Sequence, residues 1–273
     1  MEIFGYIAAV FIGISLGLIG GGGSILTVPV LVYLFHVDPI LATAYSLFIV
    51  GLSSLIGVYP KYKEGLVDLK TALVFGAPSI AAVFLTRKLL VPAIPDELFT
   101  ISGFVFTKAI GMMMLFAILM VAASVSMIRE KKCVDCPDEP EQLKFNYPMI
   151  LLEGSIVGVL TGLVGAGGGF LIIPALVMLS KLPMKKAVGT SLLIIAAKSL
   201  IGFTGDVSTN GGNMDWMLLG SVTVLAVVGI FVGSALSKKV DGNKLKKGFG
   251  WFVLVMGIYI IVNQLFFGTG GGH

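Results

Sequence analysis

Hydrophobic and polar positions in this chain separate on the scale of whole helices. Long apolar stretches recur from one end to the other, and the short segments between them collect nearly all of the charged residues. A bilayer core about 30 Å thick takes roughly 20 apolar residues per helical crossing, so the pattern predicts an all-α polytopic membrane protein. In the first half the apolar segments fall at about 3–19, 25–36, 40–59, 70–90 and 101–128. In the second half they fall at about 149–164, 170–180, 185–204, 215–237 and 246–267. The first two segments of each half are short arms around a glycine run. One run, GLIGGGGSILTVPVL at residues 17–31, holds Gly20, Gly21, Gly22 and Gly23 in succession. Glycine in a helix interior is less stable than alanine by about 1 kcal/mol, so four together predict an opened backbone inside an apolar segment.

The two halves are copies of one design. Shifted by 145 residues, GLIGGGGSILTVPVLV lies over GLVGAGGGFLIIPALV, and 19 of the 45 positions from Gly13 over Gly158 to Gly57 over Gly202 are identical. Gly20, Gly22, Gly23 and Pro29 match Gly165, Gly167, Gly168 and Pro174. This divides the chain into a first transmembrane repeat at 1–128, a linker at 129–147, a second repeat at 148–267 and a tail at 268–273. The linker, the most polar part of the chain, carries Cys133 and Cys136 as a CxxC. A single CxxC is half a zinc site, a redox pair or an incidental loop feature.

Charge decides how the broken segments sit. If each arm pair returns to the side it entered from, fifteen lysines and arginines in the segments at 59–70, 129–147, 181–186 and 238–247 share one face, against Arg87 and Lys88 on the other. If each pair crosses once as a broken helix, the split is roughly ten against seven, and the positive-inside rule prefers the first arrangement. Each repeat is then a re-entrant hairpin plus three crossings, and an odd number of crossings inverts the second repeat relative to the first. Both termini fall outside and the CxxC linker in the cytoplasm. The N-terminus lacks a basic n-region and a cleavage site, and reads as retained structure. Composition agrees, with 56% hydrophobic and 12% charged residues and a mean hydropathy of +1.00.

Inverted repeats with matched, glycine-interrupted segments point to a secondary transporter with its site near the bilayer midplane. A helix that restarts inside the membrane presents unpaired N–H groups and the positive end of its dipole. Gly20–Gly23 and Gly165, Ala166, Gly167, Gly168 and Gly169 would let an anion approach that backbone, with Ser24 placed to cap the second arm or meet the ligand. Isolated glycines such as Gly13 and Gly229 read instead as helix-packing residues. Ser46, Thr190 and Ser191 are further donor candidates, as is Tyr45 beside Ser46. Lys198, with Lys108 one of two cations inside the predicted crossings, either faces the cavity or snorkels. The scarcity of acids there, Glu153 excepted, favours an anion as cargo and leaves the coupling ion open. No HExxH, GxSxG or Walker pattern occurs, and His36 and His273 stand alone, so no catalytic residue, metal or cofactor is expected.

The paired motifs, with ATAYSLFIV and AVGTSLLII following each, resemble the TauE/SafE family of sulfite and organosulfonate exporters over essentially the whole chain. The resemblance implies a permease of the cytoplasmic membrane that moves a small sulfur-containing anion, usually outward. Its implied partners are that anion and membrane lipid, not nucleic acid, and oligomeric state is left open. Import of thiosulfate or a related anion stays open as an alternative, as does a membrane sulfur enzyme or relay using the CxxC.

Overall fold

The computed structural model describes residues 2–101, 104–128, 147–165, 167–178, 182–210, 214–237 and 242–266. Ala166, Cys133, Cys136 and the 268–273 tail lie outside the described residues. The first half comprises α1 (Glu2–Ile19), a 3-10 helix (Gly20–Leu26), α2 (Thr27–Tyr33), α3 (Pro39–Lys63) and α4 (Leu69–Leu85). A π-helical turn (Thr86–Leu90) carries α4 on into the short α5 (Val91–Ala93), and α6 (Lys108–Ile128) closes the half. The second half comprises α7 (Tyr147–Val164), α8 (Gly169–Met178), α9 (Met184–Asn210), α10 (Trp216–Leu236) and α11 (Gly242–Phe266). The predicted elements appear in order, with one addition. Within and just before the 101–128 stretch predicted as helix, β1 (Glu97–Ile101) and β2 (Phe104–Thr107) pair as antiparallel strands. The run ELFTISGFVFT is rich in aromatic and β-branched residues around a glycine, the composition of a strand pair.

Among the described residues, five segments are long and apolar enough to cross a membrane: 39–63, 69–93, 108–125, 185–208 and 216–236. A 25-residue helix such as α3 is roughly 37 Å long, more than the bilayer core. The arms α2 and α8, at 7 and 10 residues, are far too short to cross alone. Helix starts are set by local chemistry. Asp38, Asp68 and Asp215 are the N-caps of α3, α4 and α10, and each accepts backbone N–H groups of the first turn at 2.8–3.3 Å.

The halves interlock. α1 packs along α10 of the other half, and α7 packs along α4, the counterpart of α10. The long counterparts α3 and α9 pack on each other at the centre, and α6 packs on α11. Exposed large apolar side chains such as Phe4, Phe11, Leu73, Val224, Phe231 and Trp251 cover the outer faces, as a lipid-facing surface requires.

Candidate functional site

Both glycine runs break their helices by backbone conformation. Gly20 and Gly165, matched under the 145-residue shift, each have φ +72°, and Gly167 and Gly168 have φ +62° and +64°. An L side chain is strained there, so these turns depend on glycine. The first run then winds as a 3-10 helix into α2, whereas the second turns through Gly167 and Gly168 into α8. The breaks also meet. A Cβ on Gly21 would overlap the backbone of Gly169, and a Cβ on Gly169 would overlap that of Gly21. Gly20 rests on Val188 of α9 and Gly165 on Thr43 of α3, a matched pair of positions, while Gly167 sits against Val50 and Ile195, another matched pair.

Beside this junction lies Lys198, fully buried. Its Nζ donates to Thr161 Oγ1 at 3.3 Å, and Thr161 in turn donates to the Gly158 carbonyl at 3.2 Å. The ammonium lies against Gly168, close enough that a Cβ there would touch Nζ. No carboxylate among the described residues pairs with it. Ser199 approaches Gly167, and Ser199, Ser46, Ser53 and Ser54 are all fully buried with hydroxyls that have no hydrogen-bond partner among the described residues. Ser53 and Ser54 are the counterparts of Lys198 and Ser199 under the shift. The junction therefore brings together an ammonium with no carboxylate partner among the described residues, the unpartnered Ser199 hydroxyl and the N-terminus of α8, where Leu171 and Ile172 both donate to the Gly168 carbonyl. Cations and helix N-termini in an apolar interior are groups that suit an anion.

Other hydroxyls picked from the sequence have backbone partners. Ser24 does not cap the second arm: its Oγ donates back to the Gly21 carbonyl at 2.7 Å, and α2 has no side-chain cap. Short 3-10 winding brings that carbonyl within reach three residues away. Ser191 likewise donates to Val188 O at 2.8 Å. Thr190 Oγ1 accepts the N–H of Asp68 at 2.9 Å, and the Tyr45 hydroxyl accepts the N–H of Asp215. These two are counterparts, and each ties a central helix to the N-cap of the other half's fourth helix. Lys198 is buried and does not snorkel. Lys108 is buried at the start of α6, where its backbone N–H donates to the Asp96 carbonyl.

A buried charged pair lies outside the residues picked from the sequence. Arg87, expected in a segment on the outer face, is 1% exposed, and Asp206, expected beyond the crossing, is 5% exposed. Arg87 Nη1 donates to Asp206 Oδ1 at 3.4 Å and to Thr43 Oγ1 at 2.9 Å. The apolar run continues past Arg87 through LLVPAI, and the π-helical turn carries the helix on beyond Arg87.

Comparison with known proteins agrees with this architecture. Probable membrane transporter proteins from Xylella fastidiosa (strain 9a5c) and Methanocaldococcus jannaschii are each 26% identical, over 92% of this chain and 91% of the first protein, and over 94% of both for the second. The probable membrane transporter protein YdhB of Bacillus subtilis is 28% identical over 92% of this chain and 96% of its own. No solved structure gives a significant match. The relatives are named as transporters, not enzymes, and the family model for the sulfite exporter TauE/SafE matches residues 6–260. The chain belongs to the TauE/SafE family of membrane transporters.

Proposed function

We propose that the protein carries a small sulfur-containing oxyanion, sulfite or an organosulfonate, out across the cytoplasmic membrane by alternating access of two inverted halves. One observation carries this reading: among the described residues the buried Lys198 ammonium has a single hydroxyl partner and no counter-charge, and it lies against the break where the two halves touch. A charge left that way in an apolar interior is destabilising unless a ligand completes it. The proposed anion site is centred on Lys198 and Gly165–Gly169, with Ser46, Ser53, Ser54 and Ser199 as donors. Gly20–Gly23 supply the facing wall. Ser24, Thr190 and Ser191 support the frame, since their hydroxyls already serve backbone groups.

Inversion is supported by the charge distribution along the loops, and the exchanged packing of counterparts, α1 on α10 and α7 on α4, fits a two-fold relation between the halves. Two arms that touch at Gly21 and Gly169 from opposite hairpins would place the site between two thin barriers, each opened by a rocking motion.

The test is uptake of labelled sulfite, thiosulfate, sulfate and methanesulfonate into proteoliposomes. Lys198→Gln should lower uptake at least tenfold while leaving thermal stability equal or higher, because it removes an unpaired buried charge. Gly167→Leu should abolish uptake. Transport at the wild-type rate by both variants would remove the site.

A further inference from the structure

The Arg87–Asp206 pair lies outside the anion site around Lys198, and its geometry is incomplete. Arg87 Nη1 makes both contacts, while Arg87 Nε, Arg87 Nη2 and Asp206 Oδ2 are buried without a partner among the described residues. A guanidinium and a carboxylate that bind each other fully do so edge to edge, through two parallel hydrogen bonds. Here one long contact leaves the Nε–Nη2 edge open, which is the fork that fits two oxygens of an oxyanion. The pair adjoins the anion site through Thr43, whose hydroxyl accepts from Arg87 and whose backbone lies against Gly165.

We infer that this pair couples anion movement to a proton: Asp206 binds a proton when the oxyanion takes Arg87 and releases it when Arg87 returns. The inference rests on the anion-carrier reading above. While Asp206 is ionised it holds Arg87 and repels an approaching anion. Protonation of Oδ2 forms one O–H bond with a proton from water on the side then open, and the neutral carboxyl lets the guanidinium turn its fork to the anion. Once the anion, arriving from Lys198, has left Arg87 for the outer side, Arg87 is again without a counter-charge. The O–H bond then breaks and the proton leaves to water on the opposite side. One proton and one anion move in the same direction, and no electrons are transferred.

The surroundings leave Asp206 few competitors. On α9 itself the other charged groups are Lys198, two turns earlier, and Lys185 and Lys186 at the far start. Among the elements packed on α9, α3 has Tyr45, occupied by the Asp215 N–H, and charges only at its ends: Asp38 before its start, Lys61 and Lys63 in its last turn. Tyr59 and Tyr62 also lie toward that end. α4 has Lys70 at its start, and the π-helical turn has Lys88, whose Nζ lies over the Phe84 ring. The first glycine run and α8 carry no charge. Among the described residues, only Arg87 lies within ion-pair distance of Asp206.

The experiment uses proteoliposomes with the membrane potential clamped by potassium and valinomycin. Thiosulfate, sulfate and methanesulfonate serve as probes because none carries a proton near neutrality. An imposed gradient of one pH unit should raise wild-type accumulation about tenfold for one proton per anion. Asp206→Asn, permanently neutral, should keep anion-for-anion counterflow and lose the response to the gradient, whereas Asp206→Glu should keep it. Wild-type uptake indifferent to the gradient, or D206N responding as wild type does, overturns the inference. Failure of the wild type to move any of the three anions defeats the carrier reading first, and is recognised by the absence of counterflow. If D206N is not recovered folded, infrared difference spectra on adding thiosulfate decide. A protonated-carboxyl band that appears in wild type and shifts in D206E supports the coupling, and its absence overturns it.

Discussion

Arg87 and Lys198 are both cations in an apolar interior, yet they are balanced differently. Arg87 has a carboxylate and a hydroxyl, whereas Lys198 has one hydroxyl. Removing one member of a buried ion pair strands the other, at about 3–5 kcal/mol, while replacing both with apolar residues is often neutral. Arg87→Met should therefore lower the thermal unfolding midpoint in a fixed detergent far more than the double variant R87M/D206L does. Equal losses in the single and double variants would show that the two groups do not stabilise each other. At this scale a lysine in LLIIAAKSLIGF stood out, but the sequence left open whether it faces a cavity or snorkels, and the structure buries it. Arg87 and Asp206 did not stand out, because VPAIP and TGDVSTN read as loop although the helices run through or up to them. The hydroxyls of Tyr45 and Thr190 were expected as donors to a ligand, but each accepts a backbone N–H that lies 170 or 122 residues away along the chain, which local reading does not reach.

Glycine acts on two levels, and helix contacts separate them. Gly13 and Gly17 of α1 meet Gly229 and Gly233 of α10 backbone to backbone, and Gly158 and Gly162 of α7 fit against Ser79 and Ala82 of α4 and Thr86 of the π-helical turn. Small residues at such crossings let helices approach where lipid offers no hydrophobic drive. Gly220, on the same helix as Gly233, has nothing within 4 Å of the position a Cβ would take. Gly220→Ala should then stabilise the protein by roughly 0.5–1 kcal/mol through helix propensity alone. Gly233→Ala, whose methyl would enter the Ile14 backbone, should destabilise it by forcing α1 and α10 apart. Similar shifts of the unfolding midpoint for both would contradict the close-packing account. Helix order and type were readable from apolar run length. The hairpin at 97–107 was not, because in a membrane chain its apolar residues merge with the helix that follows.

For the molecule as a whole, the open matter is orientation. Exchanged packing between counterpart helices is what a two-fold relation between halves produces, but packing alone does not say whether that axis lies in the membrane plane or along its normal. Crossing number decides. If arms of 7 and 10 residues turn back at Gly20 and Gly165, each half crosses three times, and linker and termini fall on opposite sides. If each broken segment spanned instead, each half would cross four times and linker and termini would share a side. The two cysteines are the only ones in the chain, so a membrane-impermeant maleimide reads the linker directly. In intact spheroplasts the reagent should fail to label Cys133 and Cys136 and should label them after lysis. A Gly270→Cys substitution in the C133S/C136S background should be labelled from outside without lysis. Labelling of linker and tail from the same side would make the halves parallel, and would leave the meeting of Gly21 and Gly169 as packing between two broken spans rather than the joint of two opposed hairpins.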